Sequence, residues 1–130
     1  MNEPFPWPEL YTTILRVRNL DESVAWYGRV FGLVPEHNDL RYRLAVLTGS
    51  KGQRVTLREA GADRSIGLTG LNSAYVVFMT PNADETHAQL VKQGERVGAV
   101  QDQPGVRLFW VHDPDGHQLC ILQFVIDWGT

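Results

Sequence analysis

Apolar positions along the chain follow two periods in alternation, and the same succession of periods occurs twice. Residues 10–17 are rich in β-branched and aromatic side chains and predict a strand. Leu20, Val24, Tyr27 and Phe31 then recur at helical spacing, and Gly32 stands where a helix would stop, so a helix is predicted over 20–31. Three short strands follow, over 33–36, 41–47 and 53–59. The order then begins again with a strand over 73–79 and a helix over 83–93, which turns His87, Leu90 and Val91 inward and stops at Gly94. Strands over 96–101, 106–112 and 117–124 complete it. Asn19 and Asn82 are good N-cap residues, each with a Glu three positions later, close to a capping box. Asp113-Pro-Asp-Gly116 is a tight-turn sequence, with Gly49-Ser-Lys-Gly52 as its counterpart.

The recurrence is also visible residue by residue. Asn19-Leu-Asp-Glu-Ser-Val-Ala25 and Asn82-Ala-Asp-Glu-Thr-His-Ala88 lie 63 positions apart and share Asn, Asp, Glu and the last Ala. Gly52-Gln-Arg-Val-Thr-Leu57 faces Gly116-His-Gln-Leu-Cys-Ile121 at an offset of 64. Each match alone is short enough for chance, but two matches at nearly one offset favour duplication over coincidence. The expected architecture is α+β: two tandem βαβββ modules, covering about 10–60 and 73–124 of a single domain spanning 1–130. They would form an open, cupped mixed sheet with the helices on its convex face and a groove on the other.

Composition narrows the function classes. A net charge of −3 and ten scattered Arg leave no clustered basic face, which speaks against nucleic acid as a partner. Cys120 is the only cysteine, so no intramolecular disulfide or paired-cysteine zinc site can form. The opening Met-Asn-Glu-Pro-Phe-Pro-Trp-Pro-Glu lacks the basic end and apolar run of a signal peptide, and no stretch approaches a membrane span. A cytoplasmic protein with no membrane partner is the expectation. Residues 5–8 carry prolines that a central strand does not admit and are expected to form an arm over the chain or a partner; the apolar tail 124–128 is expected to do the same.

Side-chain alternation sorts the first strand into two faces. Tyr11, Thr13, Leu15 and Val17 are expected to face the helices, and Leu10, Thr12, Ile14 and Arg16 the groove. Arg16 fits two readings: a cation presented to the groove, or a strand-end Arg reaching back to solvent.

The strand–helix run Ile14-Leu-Arg-Val-Arg-Asn-Leu-Asp-Glu-Ser-Val-Ala-Trp-Tyr27, the following Val30-Phe-Gly-Leu33 and the segment Phe109-Trp-Val-His-Asp-Pro-Asp-Gly116 resemble the vicinal oxygen chelate superfamily. That superfamily includes glyoxalase I, extradiol dioxygenases and the bleomycin- and mitomycin-resistance proteins. The resemblance implies a metal site built from groove-facing positions on the first and last strand of each half. Those positions here are Thr12, Thr56, Tyr75 and Cys120, and the repeat pairs Thr12 with Tyr75 and Thr56 with Cys120. A divalent ion needs imidazole, carboxylate or thiolate, and hydroxyls are poor substitutes. Tyr75 and Cys120 would have to shed protons with reference pKa values of about 10 and 8.5. No metal and no cofactor are expected. His37, His87, His112 and His117 lack the spacing of an alternative site and are expected to be satisfied or solvent-facing.

What remains of the implied groove suits organic matter. Leu44 pairs with Leu108 and Val46 with Trp110 through the repeat; with Ile14, Val77 and Leu122 they would make an apolar bed. Tyr75 and Trp110 offer flat faces, and Arg16 and Arg58 offer anion-binding ends; the resemblance puts Arg16 where glyoxalase I holds a carboxylate of glutathione. Trp110 and its neighbours could equally fill a core or a dimer seam. Cys120 is read as a small buried hydrophobe rather than a nucleophile, and Asp113 and Asp115 as turn residues. The expected activity is capture of a small organic molecule in a metal-free groove, in a homodimer by analogy with the superfamily. The alternatives are a superfamily enzyme (a metal-dependent lyase or dioxygenase, or a metal-free isomerase using Tyr75 or an Arg) and an interaction protein without a ligand.

Overall fold

A computed structural model describes residues 5–60 and 74–125. Among them the first module consists of β1 (Thr13–Val17), α1 (Leu20–Phe31), β2 (Val34–Asp39), β3 (Leu44–Thr48) and β4 (Arg54–Glu59). The second consists of β5 (Val77–Met79), α2 (Ala83–Lys92), β6 (Arg96–Val97), β7 (Gln101–Gln103), β8 (Val106–His112) and β9 (Gln118–Phe124). This is the expected α+β fold of tandem βαβββ-like modules. The strands run in the order β1-β4-β3-β2 and β5-β9-β8-β6, with β7 also on β8. The β1–β4 and β5–β9 pairs are parallel and the others antiparallel, so the open sheet is mixed, and α1 and α2 pack against it. The modules repeat each other in register: Ile14 lies opposite Thr56 as Val77 lies opposite Cys120.

Helix ends follow their local chemistry. The Asn19 and Asn82 side chains each accept from the N–H three residues on, at 3.0 Å. Gly32 closes α1 at φ 68°, a left-handed conformation that a Cβ would strain, and its N–H bonds the Gly28 carbonyl at 3.0 Å. A second cap comes from afar. Glu59 accepts from the N–H of Leu20 at 2.9 Å, and Gln123, its counterpart in the repeat, accepts from the N–H of Ala83 at 2.8 Å. The last strand of each module therefore satisfies an orphan donor at the start of that module's helix.

Several expectations shift in detail: β2 runs on to Asp39, which places His37 in it, β3 begins at Leu44 rather than 41, and β5 begins at Val77 rather than 73. β1 begins at Thr13, and the start of the expected strand at Ser73 lies outside the described residues, as does most of the tail. The strand expected over 96–101 divides into β6 and β7, because its register on β8 advances by one residue between Val97 and Gln101. That is the signature of a bulge. Val91 is half-exposed, one position off the helical face that buries Leu90. Phe5 and Trp7 are exposed, their rings 4.5 Å apart.

One core serves both modules. Val17, Leu20, Tyr27, Leu47 and Leu57 of the first join Ala83, Leu90, Phe109, Val111 and Ile121 of the second. α1 reaches into the second module along its length: Trp26 Nε1 donates to Glu95 at 3.0 Å, and Phe31 stacks on Phe78 with centroids 3.9 Å apart. The turn between β8 and β9 completes the junction. Asp113 is fully buried; one carboxylate oxygen accepts from the N–H groups of Asp115 and His117, and the other accepts from the Tyr27 hydroxyl at 2.7 Å. Asp115 accepts from the Arg18 N–H at 2.9 Å, from its guanidinium at 3.2 Å and from the Ser23 hydroxyl at 3.4 Å. These carboxylates thus do more than shape a turn.

Burial, reinforced by the neighbouring Asp113 carboxylate, pushes the Tyr27 phenol well above its ordinary range, so it stays a donor. Tyr27→Phe should lower unfolding free energy by about 1–3 kcal/mol in urea titrations at neutral pH, because a buried carboxylate loses a partner. The raised pKa sets the direction of the pH effect: the unfolded phenol ionises near its ordinary value while the folded one does not. The contribution is complete below about pH 10 and falls as pH rises further, so the gap between wild type and Tyr27→Phe should narrow above about pH 10.

Candidate functional site

Register gathers the expected groove residues that lie in strands into rows on the faces opposite the core, while Thr12 and Tyr75 lie just before β1 and β5. On the first module, Ile14, Thr56 and Val46 form one row across β1, β4 and β3, and Arg16, Arg58 and Leu44 form the next. On the second, Val77, Cys120 and Trp110 form one row, and Leu122 and Leu108 lie in the next. The opposite faces carry Val17, Leu57, Phe109 and Ile121, all buried in the core. Alternation assigns the two faces, but Val46, Thr56 and Cys120 on the outward rows are buried as well, so only the β1 and β5 ends of those rows are open.

Within each face the side chains are coupled locally. The hydroxyls of Thr12 and Thr56 share a hydrogen bond of 2.9 Å. Tyr75 meets Trp110 edge-on with centroids 4.8 Å apart. Arg16 and Arg58 are direct register partners, both exposed, and neither guanidinium forms an ion pair among the described residues. Two like charges opposite each other on a sheet repel, and an anion between them relieves that repulsion. Ile14 on β1, Tyr75 just before β5 and Val77 on β5 are 57%, 56% and 50% exposed, so each half presents apolar surface at the end strand of its sheet. No hydrogen bond, ion pair or ring contact joins the first-module group to the second-module group among the described residues. A single chain therefore carries two half-faces.

The donor set does not fit a divalent metal. Thr12 and Thr56 are neutral hydroxyls already bonded to each other, and Cys120 is 2% exposed with its thiol pushed up by burial, away from the thiolate a metal would need. Among the described residues no group of three or more His, Cys, Asp or Glu is placed to hold an ion. Two of the histidines are tied to backbone carbonyls: His87 to Gly98 at 2.9 Å and His117 to Arg16 at 2.7 Å.

A cavity of about 680 Å³ lies where the β3–β4 turn approaches the end of β5. Of the expected groove residues it includes Val77 alone; Lys51, Gln53, Met79, Pro81 and Phe124 were not singled out in the sequence. The available signal was the repeat itself, which sets Lys51 against Asp115 in otherwise corresponding turns.

With this geometry, the chain belongs to the glyoxalase-like domain family, which matches residues 12–122, and through it to the vicinal oxygen chelate superfamily. Solved structures of similar fold include a glyoxylase/bleomycin resistance protein/dioxygenase domain from Frankia sp. EAN1pec, with TM-score 0.77 and 18% identity over 91% of this chain and 98% of that one. TioX from Micromonospora sp. ML1 aligns with TM-score 0.66 and 23% identity over 91% of this chain and all of its own. A bleomycin resistance determinant encoded on transposon Tn5 aligns with TM-score 0.66 and 20% identity over 92% and 100%. At these identities the likeness shows the fold. No curated protein matches the chain. Among the described residues no helix is long and apolar enough to cross a membrane.

The buried, neutral thiol makes a direct prediction. Cys120 should react with a disulfide reagent at neutral pH at least about a hundredfold more slowly in native protein than in urea, since reaction requires local opening. Absorbance at the released thiolate's wavelength follows it; equal rates would show an accessible thiol.

Proposed function

We propose that this protein captures a small organic molecule, planar and bearing a carboxylate, in a groove that holds no metal. The observation that carries this reading is the chemistry at four positions. Where metal-dependent members of the superfamily hold their ion, this chain has Thr12, Thr56, Tyr75 and Cys120, set among Trp110, Leu44, Leu108, Val46 and Leu122. Such a surface binds through area and a few directional contacts rather than through coordination. Arg16 and Arg58 select the sign of the ligand. The chain resembles in fold a determinant of bleomycin resistance, but two unpaired guanidiniums disfavour a cationic drug of that kind and favour an anion.

The groove in this reading is completed by a second copy of the chain. Each half-face exposes apolar side chains on its own, Ile14 on the first and Tyr75 with Val77 on the second. Apposing the first half of one protomer to the second half of its partner covers them and unites the aromatic wall with the Arg pair. The same exposure gives a dimer its driving force, through burial of apolar area.

Thermal denaturation with a panel of aromatic carboxylates tests the binding. At a hundredfold excess over Kd, a ligand of the native state adds about 2.7 kcal/mol, which for a domain of this size raises Tm by roughly 5–10 °C. The double variant Arg16→Ala, Arg58→Ala should weaken such a ligand by about tenfold or more. No stabilisation across the panel, or an equal response of the double variant, would refute the proposal. Ultracentrifugation should give a dimer, and an added transition metal should leave Tm unchanged.

A further inference from the structure

The duplicated fold creates two equivalent seams, and they are finished differently. At one, the β8–β9 turn meets the end of β1 and the start of α1; at the other, the β3–β4 turn approaches the end of β5. The turn backbones correspond closely. Asp113 N–H bonds the His117 carbonyl at 3.1 Å and Gly49 N–H bonds the Gln53 carbonyl at 2.9 Å. Gly116 bonds back to Asp113 at 2.9 Å as Gly52 does to Gly49 at 3.1 Å. Even the side-chain brace recurs: the Gln53 amide oxygen accepts from the Lys51 N–H at 3.0 Å, in the role the Asp113 carboxylate plays for Asp115 at 2.9 Å.

The closing contact does not recur. Asp115 drives its carboxylate into the first seam, onto the N–H and guanidinium of Arg18. At the second seam the offsets put Lys51 in the place of Asp115 and Pro81, which has no N–H, in the place of Arg18. Charge is reversed, the bond is impossible, and the cavity of about 680 Å³ occupies the junction. Val77, Met79 and Phe124 give it apolar walls, with Val77 half-exposed and Met79 three-quarters exposed. Its polar side chains offer donors. The Lys51 ammonium forms no ion pair among the described residues. The amide oxygens of Gln53 and Gln123 are occupied by the N–H groups of Lys51 and Ala83, and their NH₂ groups donate to no partner among the described residues. The Thr80 hydroxyl is held by Thr86 at 2.7 Å.

We infer that this second seam is a binding site for a small amphipathic carboxylate, whose head replaces at Lys51 the protein carboxylate present in the first seam and whose hydrocarbon lies along Val77, Met79 and Phe124. The volume falls within the usual range for small-ligand sites, roughly 300–1,000 Å³. The site shares Val77 with the groove described above, and Met79 is the register neighbour of Leu122, but its charge and its remaining walls come from residues outside that groove.

Titration of the full chain with 4-phenylbutyrate, followed by amide NMR shifts, tests the inference. Saturable shifts are expected at Lys51, Gly52, Gln53, Met79 and Gln123. The neutral 4-phenylbutanamide should bind about tenfold more weakly, and Lys51→Glu should weaken the acid by a similar factor, since a charge-assisted contact is lost. Arg16→Ala, which disables the groove of the preceding section, should leave this affinity within about twofold, as expected for independent sites. Equal binding of acid and amide would overturn the inference. So would shifts confined to Thr12, Thr56, Tyr75 and Trp110 that vanish in Arg16→Ala, or no saturable shift at the seam up to about 10 mM ligand, the scale of very weak binding.

Discussion

Two carboxylates carried inward by one tight turn hold the halves of this molecule in register. Asp113 has no exposed surface, and Asp115 has very little. Burying charge of this kind is strongly unfavourable unless each oxygen finds a donor. The turn supplies two N–H groups from its own backbone, and the other module supplies the Tyr27 phenol, the Ser23 hydroxyl and the N–H and guanidinium of Arg18. These donors come from the residue that follows β1 and from the first and middle turns of α1. The first strand and first helix are therefore fixed relative to the second sheet by directional contacts, and the apolar core beneath them fills in around a geometry already set. Everything presented on the outward faces inherits its position from this junction.

Much of this organisation was legible in the chain. α1 occupies 20–31 as its apolar spacing and Gly32 require, and the offsets of 63 and 64 visible in the chain are those that relate the strand registers of the two modules. The alternation in β1 holds towards its end, where Leu15 is half-buried and Val17 buried while Ile14 and Arg16 are open, but Tyr11 and Thr13, expected on the helix side, are exposed. What sequence periodicity does not carry is pairing between distant polar groups. Nothing local in Glu59 or Gln123 indicates that each caps a helix about forty positions earlier. The inward course of Asp113 and Asp115 was hidden for a related reason: Asp-Pro-Asp-Gly satisfies turn chemistry by itself, so no unexplained residue drew attention to a second role. The bulge between β6 and β7 is likewise a product of pairing with β8 and leaves no mark in composition.

The candidate site was legible as a set of faces and less so as a place. Register sets Ile14, Thr56 and Val46 in one row and Val77, Cys120 and Trp110 in another, with Thr12 and Tyr75 outside the paired strands. It also divides them between two ladders, which no pattern within either half could convey. In chemical terms the faces replace ion coordination with hydroxyls, a buried thiol, aromatic edges and two cations. A site of that kind gains selectivity from shape and charge, and its occupant need not undergo any reaction to be recognised.

The paired caps from Glu59 and Gln123 bear on how the chain acquires its shape. The first peptide N–H of each helix is met by a side chain from the strand that finishes the same module. During synthesis that partner is translated some forty residues after the start of the helix it completes, so this one N–H is satisfied only when the module's final strand is in place, whereas the Asn caps are local. A chain cut short before that strand would leave this donor open at the head of its helix.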